Sequence, residues 1–332
     1  LAPTVHTRIE ARASAARTWL GRLPRRVRAA VGAAAAAGAA LVASPAAAFT
    51  VFACEPEWAV LVRAMLPQAR VHVATTAQQD PHHIEARPAL IAQLRSADLA
   101  ACTGASLEAG WLPTLQQRAG NSRVQDGAPG MFYAADHVVL IDVPRRGTAL
   151  ATPFAGDVHS EGNPHLHADP RRLLEAARAL AAQLQALQPA QAGAVGERHA
   201  RLESRLQARI ADWERRAAPL RGRMVAVQHA SLAYLWRWLG LVPVADLEPV
   251  PGMAPTPGHL QRVLHTLRAN PPLAIVVARH QDPRAGRWLA AQLGASVPLL
   301  VVPATVPDDS APDAIDDWFE QLVQALLKAA GV

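Results

Sequence analysis

At 332 residues, with 51% apolar side chains and 5% aromatic ones, the chain is long enough for two ordinary domains and can bury sizeable cores. Its formal net charge of +6 is a local effect. The first 48 residues hold seven of the 33 basic residues and one of the 27 acidic ones, so the remainder carries 26 of each. A neutral body without a basic patch excludes an electrostatically driven nucleic-acid binder.

In chain order, Arg22, Arg25, Arg26 and Arg28 lead into an Ala-rich apolar stretch over 29–43, then Pro45-Ala46-Ala47-Ala48. A basic region, a short apolar region and small residues at a cut site describe a secretory signal peptide over 1–48. The apolar stretch falls short of the ~20 residues a spanning helix needs, so no integral membrane segment is expected in the mature chain. Export sets the expected compartment as the periplasm.

From residue 49 onward, short apolar runs alternate with longer helical stretches, the pattern of parallel sheets built from βαβ units. Strands are expected at 49–53, 70–74, 98–102, 137–141, 223–228, 273–278 and 298–302. Helices are expected at 55–66, 88–95, 169–186, 231–239, 257–268, 284–293 and 313–329. Between the two strand sets, Val195, His199, Leu202, Leu206, Ile210 and Trp213 recur at helical spacing. About 25 such residues make a helix of roughly 37 Å, long enough to cross a two-lobed molecule. The expected architecture is α/β: an N-terminal lobe at 49–187, a connecting helix at 188–219 and a C-terminal lobe at 220–332.

An exported protein meets oxidising conditions, which bears on its two cysteines. Cys54 ends the apolar run from Phe49, and Cys102 ends the run from Asp98. If those runs are neighbouring parallel strands, their ends lie side by side and a Cys54–Cys102 disulfide is expected; two buried free thiols are the alternative.

Four places bring a metal-competent side chain to a turn or strand end. They are Asp80-Pro81-His82-His83, Gly162-Asn163-Pro164-His165, His229 after an apolar run, and Asp282-Pro283-Arg284. In open α/β sheets, ligands bind beyond the carboxyl ends of strands, where His229 and Asp282 are expected. Three imidazoles and one carboxylate form a closed tetrahedral set for zinc with no position left for a reacting water. That points to carrying a metal rather than to catalysis. Spacing alone does not choose between His82 and His83, and Asp282 before Pro is equally what a helix N-terminus wants. His159, His167 and His280 are further imidazoles in the same stretches.

Taken in order, several segments resemble the solute-binding receptors of bacterial zinc and manganese ABC importers. They are Asp80-Pro81-His82 with Pro88, Ala97-Asp98-Leu99, Gly104 to Glu108 with Trp111, Gly156-Asp157-Val158-His159, Gly162-Asn163-Pro164-His165, Glu248-Pro249-Val250-Pro251-Gly252 and Asp282-Pro283-Arg284. The resemblance implies His82, His165, His229 and Asp282 as metal ligands, with His83 a neighbour and His280 a rival to Asp282. It also implies two α/β lobes joined by one rigid helix, and a permease and its ATPase as partners of a monomeric receptor. A third His in place of a carboxylate favours zinc over manganese. The competing readings are a manganese receptor or adhesin on the same scaffold, and a secreted zinc hydrolase. For the hydrolase, neither His-Glu-x-x-His nor Gly-x-Ser-x-Gly occurs in the chain.

Overall fold

The computed structural model describes residues 48–143 and 159–332. The expected signal peptide therefore lies, but for Ala48, outside the described residues, as does Gly156-Asp157-Val158. Two four-stranded parallel sheets organise the rest. The first has the order β2-β1-β3-β4, from β1 (Thr50–Ala53), β2 (Arg70–Val73), β3 (Leu99–Cys102) and β4 (Met131–Tyr133). The second repeats that pattern as β6-β5-β7-β8, from β5 (Met224–Val227), β6 (Val242–Asp246), β7 (Ile275–Ala278) and β8 (Leu299–Val302). Helices α1 (Pro56–Met65), α2 (Pro88–Ser96), α3 (Leu112–Ala119) and α4 (Pro170–Leu187) accompany the first sheet. Helices α6 (Ala233–Leu239), α7 (Pro257–Ala269) and α8 (Arg284–Leu293) accompany the second.

Successive strand residues point to opposite faces, and here the two faces enter different cores. Val51, Ala53, Leu99 and Ala101 of the first sheet join Val225, Val227 and Val276 of the second in one continuous core. The alternate residues Phe52, Cys54, Ala100 and Cys102 face a separate cluster under α2 and α3. Ala226, Ile275 and Val277 face a third under α7 and α8. The shared core is threaded by α5 (Ala192–Arg216), 25 residues long, whose Val195, Leu202, Leu206, Ile210 and Trp213 form its buried stripe. The final helix α9 (Ala314–Ala330) returns to pack on α1 and α5, with Trp318 and Phe319 fully buried. Among the described residues, no helix is long and apolar enough to cross a membrane.

Three elements depart from expectation. The run at 137–141 is not a strand: Val139 is 74% exposed, and Ile141 crosses to the second sheet's side, where its amide donates to the Tyr234 hydroxyl. The fourth strand of the first sheet is instead the three residues of β4, too short for an alternation to show. β6 was missed because Pro243 argues against a sheet interior; it is an edge strand, and its pairing slips register between Val225 and Ala226, opposite that proline. Helix α3, marked only by Pro113 in its first turn, was also missed.

Cys54 and Cys102 share a face because β1 and β3 pair in register, Ala53 beside Ala101. They form a disulfide with a Cα–Cα separation of 4.8 Å, across 48 residues of chain. Closing a loop of that length stabilises the fold by about 4 kcal/mol in the chain-entropy model. Protein unfolded without reductant should show no free thiol in a colorimetric count. The Cys54→Ala, Cys102→Ala double variant should lose about 2–4 kcal/mol in denaturant titration. Two titrating thiols in oxidised, exported protein would remove the bridge.

Candidate metal centre

His82 lies on the loop after β2, His165 on the loop before α4, and His229 at the carboxyl end of β5. The structure brings these three together: each offers a ring nitrogen within 4.8 Å of the others, and all three are buried. Their ring centroids are 5.3 Å (His82–His165), 5.9 Å (His82–His229) and 5.8 Å (His165–His229) apart. They line a cavity of about 140 Å³ between the two sheets, with Glu55, Glu57 and His280 also on its wall.

Each imidazole is held from behind by an oxygen acceptor on Nδ1. Asp80 Oδ1 accepts from His82 Nδ1 at 2.6 Å, Asn163 Oδ1 from His165 Nδ1 at 2.9 Å, and Glu248 Oε2 from His229 Nδ1 at 2.9 Å. The Asn163 amide orientation is fixed by its Nδ2, which donates to the Ala230 carbonyl at 3.1 Å. Carboxylate and amide oxygens only accept, so the Nδ1 atoms carry the protons and the Nε2 lone pairs turn inward. His165 Nε2 is buried with no hydrogen-bond partner among the described residues, a state with a cost unless a ligand takes the lone pair. Burial, then the charges of the neighbouring imidazoles, hold the His165 pKa well below its ordinary value, which keeps that lone pair free.

Two of the three orientations are written locally. In Asp80-Pro81-His82, Asp80 Oδ1 accepts both the His82 amide (3.0 Å) and its Nδ1. In Asn163-Pro164-His165, Asn163 Oδ1 does the same for His165, with the amide at 3.0 Å. The His82 loop is further pinned by Trp111, whose Nε1 donates to the Pro81 carbonyl at 2.8 Å. It also packs on Gly110, where a Cβ would lie 2.9 Å from the His82 carbonyl. Glu248 is steadied by the Gly252 amide at 2.8 Å.

Asp282, expected as the fourth ligand, is not brought to this cluster. Its Oδ1 accepts the Arg284 amide at 3.0 Å and its Oδ2 the Arg284 Nε at 2.5 Å. Its side chain is 49% exposed and lines an outer cavity rather than the inner one. The physical reason is register: in these Asx-Pro-X turns the first residue is the acceptor and the third is the one oriented, and here the third is Arg284. His83 is exposed, so of the two adjacent histidines His82 is the one placed inside. His159, by contrast, sits at the cluster, its Nε2 3.2 Å from His82 Nε2. Asp80, Asn163 and Glu248 were visible in the sequence only as parts of motifs; the signal for the first two was an acceptor two residues before a histidine.

Beneath the cluster, burial pushes the Glu108 carboxyl up to about 7 although the Thr103 and Gly104 amides donate to it. Burial, with Glu108 and Glu57 nearby, also raises Glu55. Glu55 Oε2 accepts from Trp58 Nε1 (2.9 Å) and Thr103 Oγ1 (2.9 Å). A folded pKa raised from 4.5 to about 7 means the native state keeps a proton that the unfolded chain releases. That contribution is complete below about pH 4.5 and lost as pH rises through 7. Metal-free protein should therefore lose more melting temperature between pH 5 and pH 8 than its Glu108→Gln variant does. Equal losses would show that Glu108 is ionised throughout.

The periplasmic zinc-uptake complex component A (ZnuA) family model matches residues 51–329. The chain belongs to this family. No curated protein matches the sequence. Among solved structures, a crystal structure of ZnuA aligns with a TM-score of 0.69 and 21% identity, covering 85% of this chain and 99% of that one. FpvC from Pseudomonas aeruginosa in complex with Mn2+ aligns at 0.69 and 19%, covering 85% and 98%. The Mn-bound periplasmic metal binding protein from Candidatus Liberibacter asiaticus aligns at 0.66 and 18%, covering 84% and 99%. These likenesses show the two-lobed α/β fold. Membership of the ZnuA family makes the chain a periplasmic metal-binding receptor of an ABC importer, which implies a permease and an ATPase as partners.

The acceptors behind the imidazoles are testable on their own. Replacing Glu248 by Gln or Asp80 by Asn should weaken metal affinity by about 10–100-fold, the usual effect of losing the partner behind a ligating His. Chelator competition measures it, and unchanged affinity in both variants would mean the rings hold their orientation without help.

Proposed function

We propose that the protein captures Zn2+ in the periplasm with His82, His165 and His229 and passes it to the permease and ATPase of a zinc importer. The observation that supports this most directly is three imidazoles whose ring nitrogens converge in one buried cavity while their Nδ1 atoms are all occupied. Imidazole suits zinc, whereas manganese prefers carboxylate, carbonyl and water oxygens. Asp80 and Glu248 stand behind the imidazoles, and of the two other carboxylates on the cavity wall Glu55 accepts from Trp58 and Thr103 and Glu57 from Thr305. The receptor reading rests on the family.

A manganese receptor on the same scaffold is the second reading, favoured by the Mn2+ complexes among the structural relatives. Metal analysis and calorimetry of mature protein separate the two. One tight Zn2+ site is expected, abolished in His165→Ala, with Mn2+ unable to displace zinc. Tighter binding of Mn2+ would select the second reading, and retention of full affinity in His165→Ala would reject both. Because protons compete for the same lone pairs, zinc affinity should fall on acidification, and burial, which holds the His165 pKa well below its ordinary value, moves that residue's share of the fall below about pH 6.5. A flat profile would mean oxygen ligands dominate.

A further inference from the structure

Away from the histidines, Cys54 follows β1, Cys102 closes β3, and a carboxylate oxygen of Glu108 lies with their two sulfurs inside 4.8 Å. All three side chains are buried. We propose that this trio is a redox-gated metal site: once the disulfide is reduced, two thiolates and the Glu108 carboxylate take up a thiophilic ion such as Zn2+. The site is separate from the histidine centre, and the inference does not rest on the receptor reading.

Glu108 is 2% exposed, and among the described residues no basic side chain pairs with it. It stands instead beside a disulfide, which has no proton to donate. Its bonded partners are amides: the Thr103 N–H donates to Oε1 at 2.6 Å and the Gly104 N–H to Oε2 at 3.0 Å. Those bonds hold the carboxylate in place and leave lone pairs open, since an ionised carboxylate accepts at about four sites. A buried charge without a counter-ion is costly, and burial accordingly pushes the Glu108 carboxyl up to about 7. Zinc binds thiolate sulfur at about 2.3 Å, so two ligand sulfurs at a tetrahedral angle stand about 3.8 Å apart. Breaking the sulfur–sulfur bond lets the side chains separate by rotation while the backbone stays in place, because the ladder is bonded around both cysteines. The Cys54 amide donates to the Ala101 carbonyl at 2.8 Å, and the Ala135 amide to the Thr103 carbonyl at 2.8 Å. A cavity of about 320 Å³ lined by Gly104, Glu108 and Tyr133 gives an ion a route to the carboxylate and a water room at the fourth position, as three protein ligands require.

The step balances with a dithiol as reductant. One dithiol, oxidised to its cyclic disulfide, gives two electrons and two protons to the Cys54–Cys102 bond, and two thiols result. The entering dication displaces both thiol protons and holds the sulfurs as thiolates. Glu55, next to Cys54, is not part of the set: its Oε2 accepts from Trp58 and Thr103, and it lines the histidine cavity. Two thiolates select zinc over Mn2+ and Mg2+, which seek oxygen. β1 and β3 are thus cross-linked in either redox state, by a sulfur–sulfur bond or by an ion.

The test sets oxidised mature protein beside protein unfolded, reduced with dithiothreitol and refolded without oxygen after the reductant is removed. Metal analysis should count one tightly held Zn2+ per oxidised chain and two per reduced chain. In reduced His165→Ala, where the histidine centre is disabled, one Zn2+ should remain, and Cd2+ should give the ultraviolet charge-transfer absorption of cadmium thiolate and raise the melting temperature. Oxidised His165→Ala should show none of these. Reduced Cys54→Ser should hold one Zn2+, and reduced Glu108→Gln should bind the second ion at least about 10-fold more weakly with the first unchanged, since a lost ligand costs no less than a lost supporting partner. One Zn2+ per reduced parent chain, with no cadmium–thiolate absorption in reduced His165→Ala, would overturn the inference and leave the receptor reading intact. A reduced chain that refolds neither with nor without Zn2+ would overturn it as well, because the ion would then not replace the bridge. An oxidised parent without Zn2+ would count against the receptor reading alone.

Discussion

Everything at the centre depends on an oxygen acceptor behind each imidazole. A histidine free to rotate presents either nitrogen in either protonation state. One whose Nδ1–H is committed to Asp80, Asn163 or Glu248 presents only an Nε2 lone pair, in one direction. The three rings meet in a cavity of about 140 Å³, where a buried polar atom left without a partner is costly. The unpartnered Nε2 of His165 shows that cost plainly. The fold contributes by spacing: β1 and β5 occupy the same place in their sheets, and the loops that hold His82 and His229 leave the carboxyl ends of parallel strands.

The sheets and most helices were legible in the sequence because their patterns are local. β1, β2, β3, β5, β7 and β8 are apolar runs, and Pro56, Pro88, Pro170 and Pro257 mark helix starts. What failed was also local in origin. Pro243 hid an edge strand, and the apolar run at 137–141 looked like a strand because an interlobe crossing also needs apolar residues. The disulfide followed from strand register, which the sequence carries in the positions of two cysteines at two run ends.

The site was half legible. Asx-Pro-His at 80–82 and 163–165 encodes both a turn and an oriented ring, and family resemblance placed His229. At 282–284 Asx-Pro-Arg has the same spacing with the roles reversed: the carboxylate is the anchor and the third residue the one aimed, so Asp282 faces Arg284. Asp169-Pro170-Arg171 repeats that use, with Asp169 Oδ1 accepting the Arg171 amide at 2.9 Å and its Nε at 3.0 Å. Reading which of the three residues is oriented, rather than which is metal-competent, separates the turns that aim a histidine from those that aim an arginine.

Asn163 ties two matters together that a receptor must coordinate. Its side-chain oxygen aims His165, its side-chain nitrogen holds the Ala230 carbonyl next to His229, and its own carbonyl accepts from the Tyr234 hydroxyl at 2.8 Å. Drawing the lobes apart therefore pulls on the amide that sets the ring. The aim of the His165 ring is thus a property of the contact between the lobes as much as of its own turn.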